Sequence, residues 1–166
     1  MAVRLNAPLS LEAVKSLHAG DSVLLSGAVY TARDAAHARM AAAIQKGEPL
    51  PIDLAGQTIY YAGPTPTPPG KAVGSIGPTT STRMDAYTPL LLSLGLRAMI
   101  GKGKRSPEVL KAMQEYPAVY FAAIGGAAAL MARCVTACQV VAYEDLGTES
   151  IKRLTLCNLP LIVAAD

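Results

Sequence analysis

The chain has no tryptophan and one phenylalanine, Phe121, so the core of its 166 residues must be built from aliphatic side chains. No stretch approaches the roughly 18 uninterrupted apolar residues of a membrane-spanning helix. Met1-Ala-Val-Arg4 lacks the charged and apolar regions of a secretory leader, and the two absences together predict a cytoplasmic protein. Cysteine is scarce and odd in number. Cys134, Cys138 and Cys157 lie in apolar segments, which argues against a disulfide framework. On a helix, Cys134 and Cys138 would share a face and could ligate a metal, although cysteines on an Ala/Val-rich face are ordinarily small core residues. Charge is thin as well: 16% of residues are charged and the net charge is +3. The basic residues are not interleaved with aromatics, which argues against a single-strand nucleic-acid platform.

What is present is 51% hydrophobic and fits one domain, residues 1–166, with a real core. The organising stretch runs from Ser75 to Ser106. Gly77-Pro78 ends a short apolar strand, and four hydroxyl residues, Thr79 to Thr82, lead into a helical periodicity that lasts to Leu94. Unpaired N–H groups at such a helix start attract anions, and Arg83 adds a charged fork in the first turn. The strand Arg97–Ile100 is followed by Gly101-Lys102-Gly103-Lys104-Arg105, three cations at a strand end. Ser106-Pro107-Glu108 then has the pattern of a helix start: cap, proline at the first position, acid in the first turn. Ligands of open α/β sheets sit beyond the carboxyl ends of strands, so two such ends bearing cations predict one anionic pocket. Alternatively, the Gly/Lys-rich turn is a solvated loop and the hydroxyl row an ordinary cap.

Elsewhere the pattern predicts an amphipathic helix within Leu5–Gly20 and a strand Ser22–Tyr30 with a bulge at its central glycine. A helix Arg33–Gln45 capped by Thr31 and a strand Thr58–Ala62 follow. Arg33 is unfavourable at a helix start, so either an anionic ligand or a neighbouring carboxylate should answer it. His37, one turn later, could line the same pocket or serve as a structural hydrogen-bonder. Gly63–Gly70 holds four prolines and should be a stiff, extended connection before Val73–Ile76 re-enters the core. Then come a strand Ala118–Ala122, a glycine turn Ile124–Gly126, a short helix Ala127–Cys134 and a strand Gln139–Tyr143. A helix around Glu149–Leu154 and a strand Leu159–Ala165 close the chain. The alternation predicts an α/β fold with a mixed, partly parallel sheet.

Four segments also carry a family resemblance: Ser26–His37 (Ser-Gly-Ala-Val-Tyr-Thr-Ala-Arg-Asp-Ala-Ala-His), Tyr61-Ala-Gly-Pro64, Ser75–Asp85 and Ile100-Gly-Lys-Gly103. Ala123-Ile-Gly-Gly-Ala127 and Tyr143-Glu-Asp-Leu-Gly147 add to it. In this order they resemble the β subunit, equivalent to the C-terminal domain, of the iron–sulfur class I fumarate hydratase and L-tartrate dehydratase family. The resemblance implies a swivelling β/β/α domain docked on a larger α subunit, in an α2β2 or similar hetero-oligomer. The α subunit would hold a 4Fe–4S cluster through its own three cysteines, and this chain would bind no metal. It also implies that family members continue beyond Asp166 with a further turn and strand.

Matched residue by residue, the resemblance makes Arg33, Arg83 and Lys102 the groups that bind the carboxylates of a C4 dicarboxylate. Thr79 would touch the substrate where a proton is exchanged, as a positioning group or relay to an acid of the partner, since a threonine hydroxyl is too weak an acid to be its own base. Thr79 and Arg83 are thus the catalytic candidates. Removing a proton beside a carboxylate builds charge on it, which preorganised cations stabilise more than the ground state. The implied reaction is reversible hydration of fumarate to (S)-malate. Dehydration of L-tartrate to oxaloacetate, or a non-catalytic anion-binding module, are the alternatives.

Overall fold

Two long strands, with alternating buried and exposed residues, carry the architecture. In the computed structural model, which describes residues 2–63, 69, 77–123 and 131–166, these are β2 (Ser22–Thr31) and β7 (Ile151–Ala165). They pair antiparallel over almost the whole length of β2, from Ser22↔Ile162 to Thr31↔Lys152. In β7, Leu154, Leu156, Leu159, Leu161 and Val163 are all buried, and the alternation slips where Cys157 and Asn158 are both exposed. There β7 spends two residues opposite Ser26 alone, between the pairs Leu25↔Leu159 and Gly27↔Leu156. A bulge therefore lies at the level of Gly27, but the extra residue belongs to β7 and not, as expected, to the glycine-bearing strand β2. The Asn158 N–H, turned out of the ladder, donates to Ser26 Oγ at 2.9 Å.

On its other edge β2 pairs in parallel with β1 (Val3–Ala7) and then with β3 (Thr58–Tyr60). From β3 the sheet continues in parallel through β4 (Ala98–Gly101) to β5 (Val119–Ala123). β5 pairs antiparallel with the end of β7, so the five strands β2-β3-β4-β5-β7 close on themselves, as in a small barrel. β6 (Val135–Ala142) pairs with the start of β7. The expected mixed, partly parallel α/β sheet is present.

Alternation sorts the strand residues into two cores. Val29, Tyr60, Ile100, Phe121 and Leu154 join one cluster, to which α1 (Leu11–Lys15) adds Val14. Ile59, Tyr61, Met99 and Tyr120, one residue out of phase, join a second with Met40 of α2 (Asp34–Gln45), Leu91 of α3 (Thr88–Ser93) and Met113 of α4 (Pro107–Glu115). Helices thus cover one face of the strands that end at the candidate site.

Several expectations need correction. The helix expected within Leu5–Gly20 is present as the short α1, capped by Ser10 Oγ accepting from Ala13 N at 3.1 Å, but Val3–Ala7 ahead of it is a strand that the pattern did not give. No helix spans Glu149–Leu154, because Ile151 already enters β7. Cys138 lies in β6 and Cys134 just before it, so the helical face proposed for them does not exist. Both pack partly buried against the first core, and Cys157 is exposed. Most of Gly63–Gly70, Val73–Ile76, the turn Ile124–Gly126 and the first half of the helix Ala127–Cys134 lie outside the described residues.

Candidate functional site

The Gly77–Ser81 segment reaches the carboxyl ends of β3 and β4 because those ends part. Their last direct bond is Tyr61 N–H to Ile100 O at 2.8 Å. Beyond it Thr79 N donates to Tyr61 O at 2.7 Å, Thr80 bridges Lys102 in parallel, and Ser81 N donates to Lys102 O at 2.9 Å. The hydroxyl loop is thus stitched between two strand ends, which brings Thr79 and Lys102 beside one another along the chain's hydrogen-bonding pattern. Thr79 is half-buried and Lys102 exposed.

The predicted helix after this loop is broken. Ser81–Met84 is a single 3-10 turn without a side-chain cap from Thr80, and α3 starts only at Thr88, with Pro89 in its first turn. A continuous helix would have placed Pro89, which has no N–H, in its interior. Any anion binding here must come from side chains rather than from a long helix dipole. The hydroxyls also divide. Ser81 is buried, with its Oγ 2.6 Å from the Tyr120 hydroxyl, which itself donates to Gly103 O at 2.8 Å.

Arg33 is the N-cap of α2 with no side-chain cap of its own. Thr31 does not cap it either: its Oγ1 accepts from Lys152 N at 3.1 Å. Ala35 N, at the helix start, donates to Glu149 Oε1 at 3.2 Å, so the chain's own carboxylate answers the helix N-terminus. Arg33 itself forms no ion pair among the described residues, and its Nε is buried without a partner. Its side chain lies against Gly63, where a Cβ would sit 3.1 Å from Arg33 Cδ and Nη1. Arg83, from the 3-10 turn, places Nη2 2.6 Å from Oδ2 of Asp34, the residue next to Arg33. The two arginines therefore converge on the start of α2.

His37 takes the structural role. It is fully buried, its Nδ1 lies 2.8 Å from Arg33 O, and its ring meets Tyr61 edge-on at 5.5 Å and Tyr87 at 6.1 Å. A bond to a carbonyl requires the proton on Nδ1, which leaves Nε2 bare, and that atom has no partner. Burial pushes its pKa down to about 4, so the ring is neutral near pH 7.

The three-cation cluster is also corrected. Lys102 and Lys104 are exposed, but Arg105 is buried between the rings of Tyr61 and Tyr120, 5.1 and 4.9 Å from their centroids. Its Nε donates to Asp85 Oδ1 at 2.8 Å and its Nη2 to Thr88 Oγ1 at 2.9 Å. Asp85 Oδ2 in turn accepts from Ser106 N at 2.8 Å, and Ser106 caps α4 as predicted. This hub ties the Arg83 turn to the Lys102 loop. Its components were scattered in sequence, and only the helix start at Ser106 pointed toward it.

Arg33 and Arg83 thus meet at the start of α2, while Thr79 and Lys102 lie on the two segments stitched together beyond β3 and β4. A hollow of about 540 Å³ lies elsewhere, around Ile44–Leu54; Glu48 and Asp53 line it without a cation. Among the described residues no three His, Cys, Asp or Glu side chains gather as metal ligands.

The family described as Fumarase C-terminus matches residues 1–166. A Methanocaldococcus jannaschii protein with the provisional name L(+)-tartrate dehydratase subunit beta is 41% identical over 164 residues, covering 95% of this chain and 84% of that protein. Fumarate hydratase 1, mitochondrial, of Leishmania major is 37% identical over 99% of this chain and 31% of its own length. Fumarate hydratase class I, aerobic, of Salmonella typhimurium is also 37% identical, over 99% of this chain and 29% of its own. The chain thus spans about a third of the fumarate hydratases it matches.

Proposed function

Because this chain belongs to the fumarase C-terminus family, we propose that it is the β subunit of a class I fumarate hydratase, a hydro-lyase that interconverts fumarate and (S)-malate. It supplies the dicarboxylate-binding half of the site. The observation that carries this reading is the set of cations left without full partners at the strand ends: Arg33 without an ion pair among the described residues, Arg83 beside Asp34 but half-exposed, Lys102 exposed. Arg33, Arg83 and Lys102 bind the two carboxylates, and Thr79, fixed through its backbone to Tyr61, positions the carbon that exchanges a proton. The arginine forks stabilise the charge that grows on the carboxylate beside that carbon.

The cysteines do not suit a cluster in this chain, since Cys134 lies just before β6, Cys138 in β6 and Cys157 in β7, and among the described residues no group of three His, Cys, Asp or Glu forms around them. A 4Fe–4S cluster therefore belongs to an α partner in this proposal, with α2β2 as its simplest assembly. A domain that swivels against that partner and a cytoplasmic location belong to it too. No helix among the described residues is long and apolar enough to cross a membrane.

L-Tartrate dehydration is the second reading, favoured because the relative named for it is matched over 84% of its own length. An anaerobic assay of the chain, alone and mixed with the cluster-binding subunit of the same source, decides between them by which acid is consumed. Activity in the mixture alone is expected. Arg83→Ala should then cost about 2–5 kcal/mol in kcat/KM, roughly 30-fold to several-thousandfold, with complex formation intact. No turnover of either acid would leave only the anion-binding module.

A further inference from the structure

Three Arg–Asp pairs lie around the candidate site, and their geometries differ. Arg39 grips Asp145 fork to fork, both Nη atoms at 2.8 Å, so its carboxylate-recognising face is closed. Arg105 has Nε, Nη1 and Nη2 all engaged, by Asp85, Met99 and Thr88, and is 1% exposed. Arg83 Nη2 lies 2.6 Å from Asp34 Oδ2 while Asp34 Oδ1 takes no hydrogen bond, so the pair is not fork to fork, and the Arg83 side chain remains 52% exposed. A guanidinium carries five N–H donors, so a contact at one corner leaves enough of the fork to take a carboxylate end-on.

The aspartate side of the pair is better anchored than the arginine side. Asp34 is the first residue of α2, a twelve-residue helix whose start is held by Glu149 Oε1 on Ala35 N. The His37 ring and backbone both bond Arg33 O. Asp34 Oδ1 is buried and unpartnered, so that half of the carboxylate is committed to its place by packing rather than by solvent. Arg83, by contrast, is a long side chain on a four-residue turn. Left alone, it would lose the rotamer freedom of a long side chain on meeting a ligand.

We propose that Asp34 is a positioning residue that holds the Arg83 guanidinium by one corner, fork outward, for a substrate carboxylate. This deepens the hydro-lyase reading and rests on it. Asp34 acts through Arg83 and does not touch the substrate. Arg33 and Asp34 are then adjacent residues with divided roles: the first meets the ligand and the second aims the other arginine at it.

The test is steady-state kinetics of the complex with its cluster-binding subunit, on fumarate and on L-tartrate. Asp34→Ala is expected to raise KM at least tenfold, with a smaller fall in kcat and an unchanged unfolding midpoint. Asp34→Asn keeps an acceptor oxygen at the same reach and should recover most of that loss. In an Arg83→Lys background, where no fork remains to aim, Asp34→Ala should add less than twofold. An unchanged KM overturns the proposal, and so does a lowered one, which would make Asp34 a competitor for Arg83. An equal effect in both backgrounds also overturns it. If the wild-type complex turns over neither acid, the hydro-lyase reading is what has failed. Succinate affinity, measured by calorimetry on the same complexes, then decides the role of Asp34 by the same comparisons.

Discussion

Replacing Asp85 with alanine should be among the most damaging single changes in this chain, because it strands a buried cation. The Arg105 side chain is 1% exposed and that of Asp85 11%. Without Asp85, the Nε–H loses its charged acceptor, and among the described residues the guanidinium keeps Thr88 Oγ1, Met99 Sδ and two tyrosine faces. Ser106 N loses its acceptor as well, at the cap of α4. Breaking a buried pair from one side costs about 3–5 kcal/mol, a large part of the roughly 5–15 kcal/mol that holds a domain folded. At roughly 2–4 °C per kcal/mol for a chain of this size, Tm should fall on the order of 10 °C. The assay is urea unfolding followed by far-UV circular dichroism. Two companions sharpen it. The double change Asp85→Leu with Arg105→Met removes both charges and should cost less than Asp85→Ala alone. Asp145→Ala breaks a pair of equally short bonds, but one standing in solvent, and should leave the midpoint where it was. A loss below about 1 kcal/mol for Asp85→Ala, or a double variant weaker than the single, would refute the claim that burial decides what this pair is worth.

His37 makes stability fall with acid. Its folded pKa of about 4 lies below the ordinary 6.5, so the unfolded chain takes up the proton first; the contribution is intact above pH 6.5 and is lost as pH falls toward 4, about 3 kcal/mol in all. Unfolding free energy measured from pH 7 to 4 should show this slope, and His37→Phe should remove one proton's share of it; an unchanged slope would mean that the ring is not buried neutral. Ser106→Ala, which removes the cap on Val109 N, should cost about 1 kcal/mol in the same unfolding experiment, and a neutral result would show that the Asp85 bond to Ser106 N suffices to start α4.

What the sequence disclosed was local. The cap at Ser106 is a three-residue pattern, and the glycine inside β2 marked the level of the bulge but not the strand that carries it, which is β7. The failures occurred where a distant partner overrides local preference. Ile151–Leu156 has enough lysine, arginine and leucine to pass for a helix end, yet it pairs with β2 residues about 120 positions away and becomes the start of the longest strand. Likewise Val3–Ala7, five residues long, becomes a strand only because β2 offers it an edge.

The site shows the same division at the level of single charges. Lys102, Lys104 and Arg105 are equivalent in composition, and nothing within Gly-Lys-Gly-Lys-Arg distinguishes them. Tyr61 and Tyr120 arrive from β3's end and β5, Asp85 from the turn after Arg83, and together they enclose Arg105. The cation nearest the next helix is thereby consumed in joining the two loops. For the proposed clamp the joining matters: Arg83 and Lys102 sit on short, irregular segments that would need a fixed spacing to meet two carboxylates at once, and a saturated arginine between aromatic faces ties those segments together. A count of basic residues overstates the proposed clamp by one and misses the residue that joins its two loops.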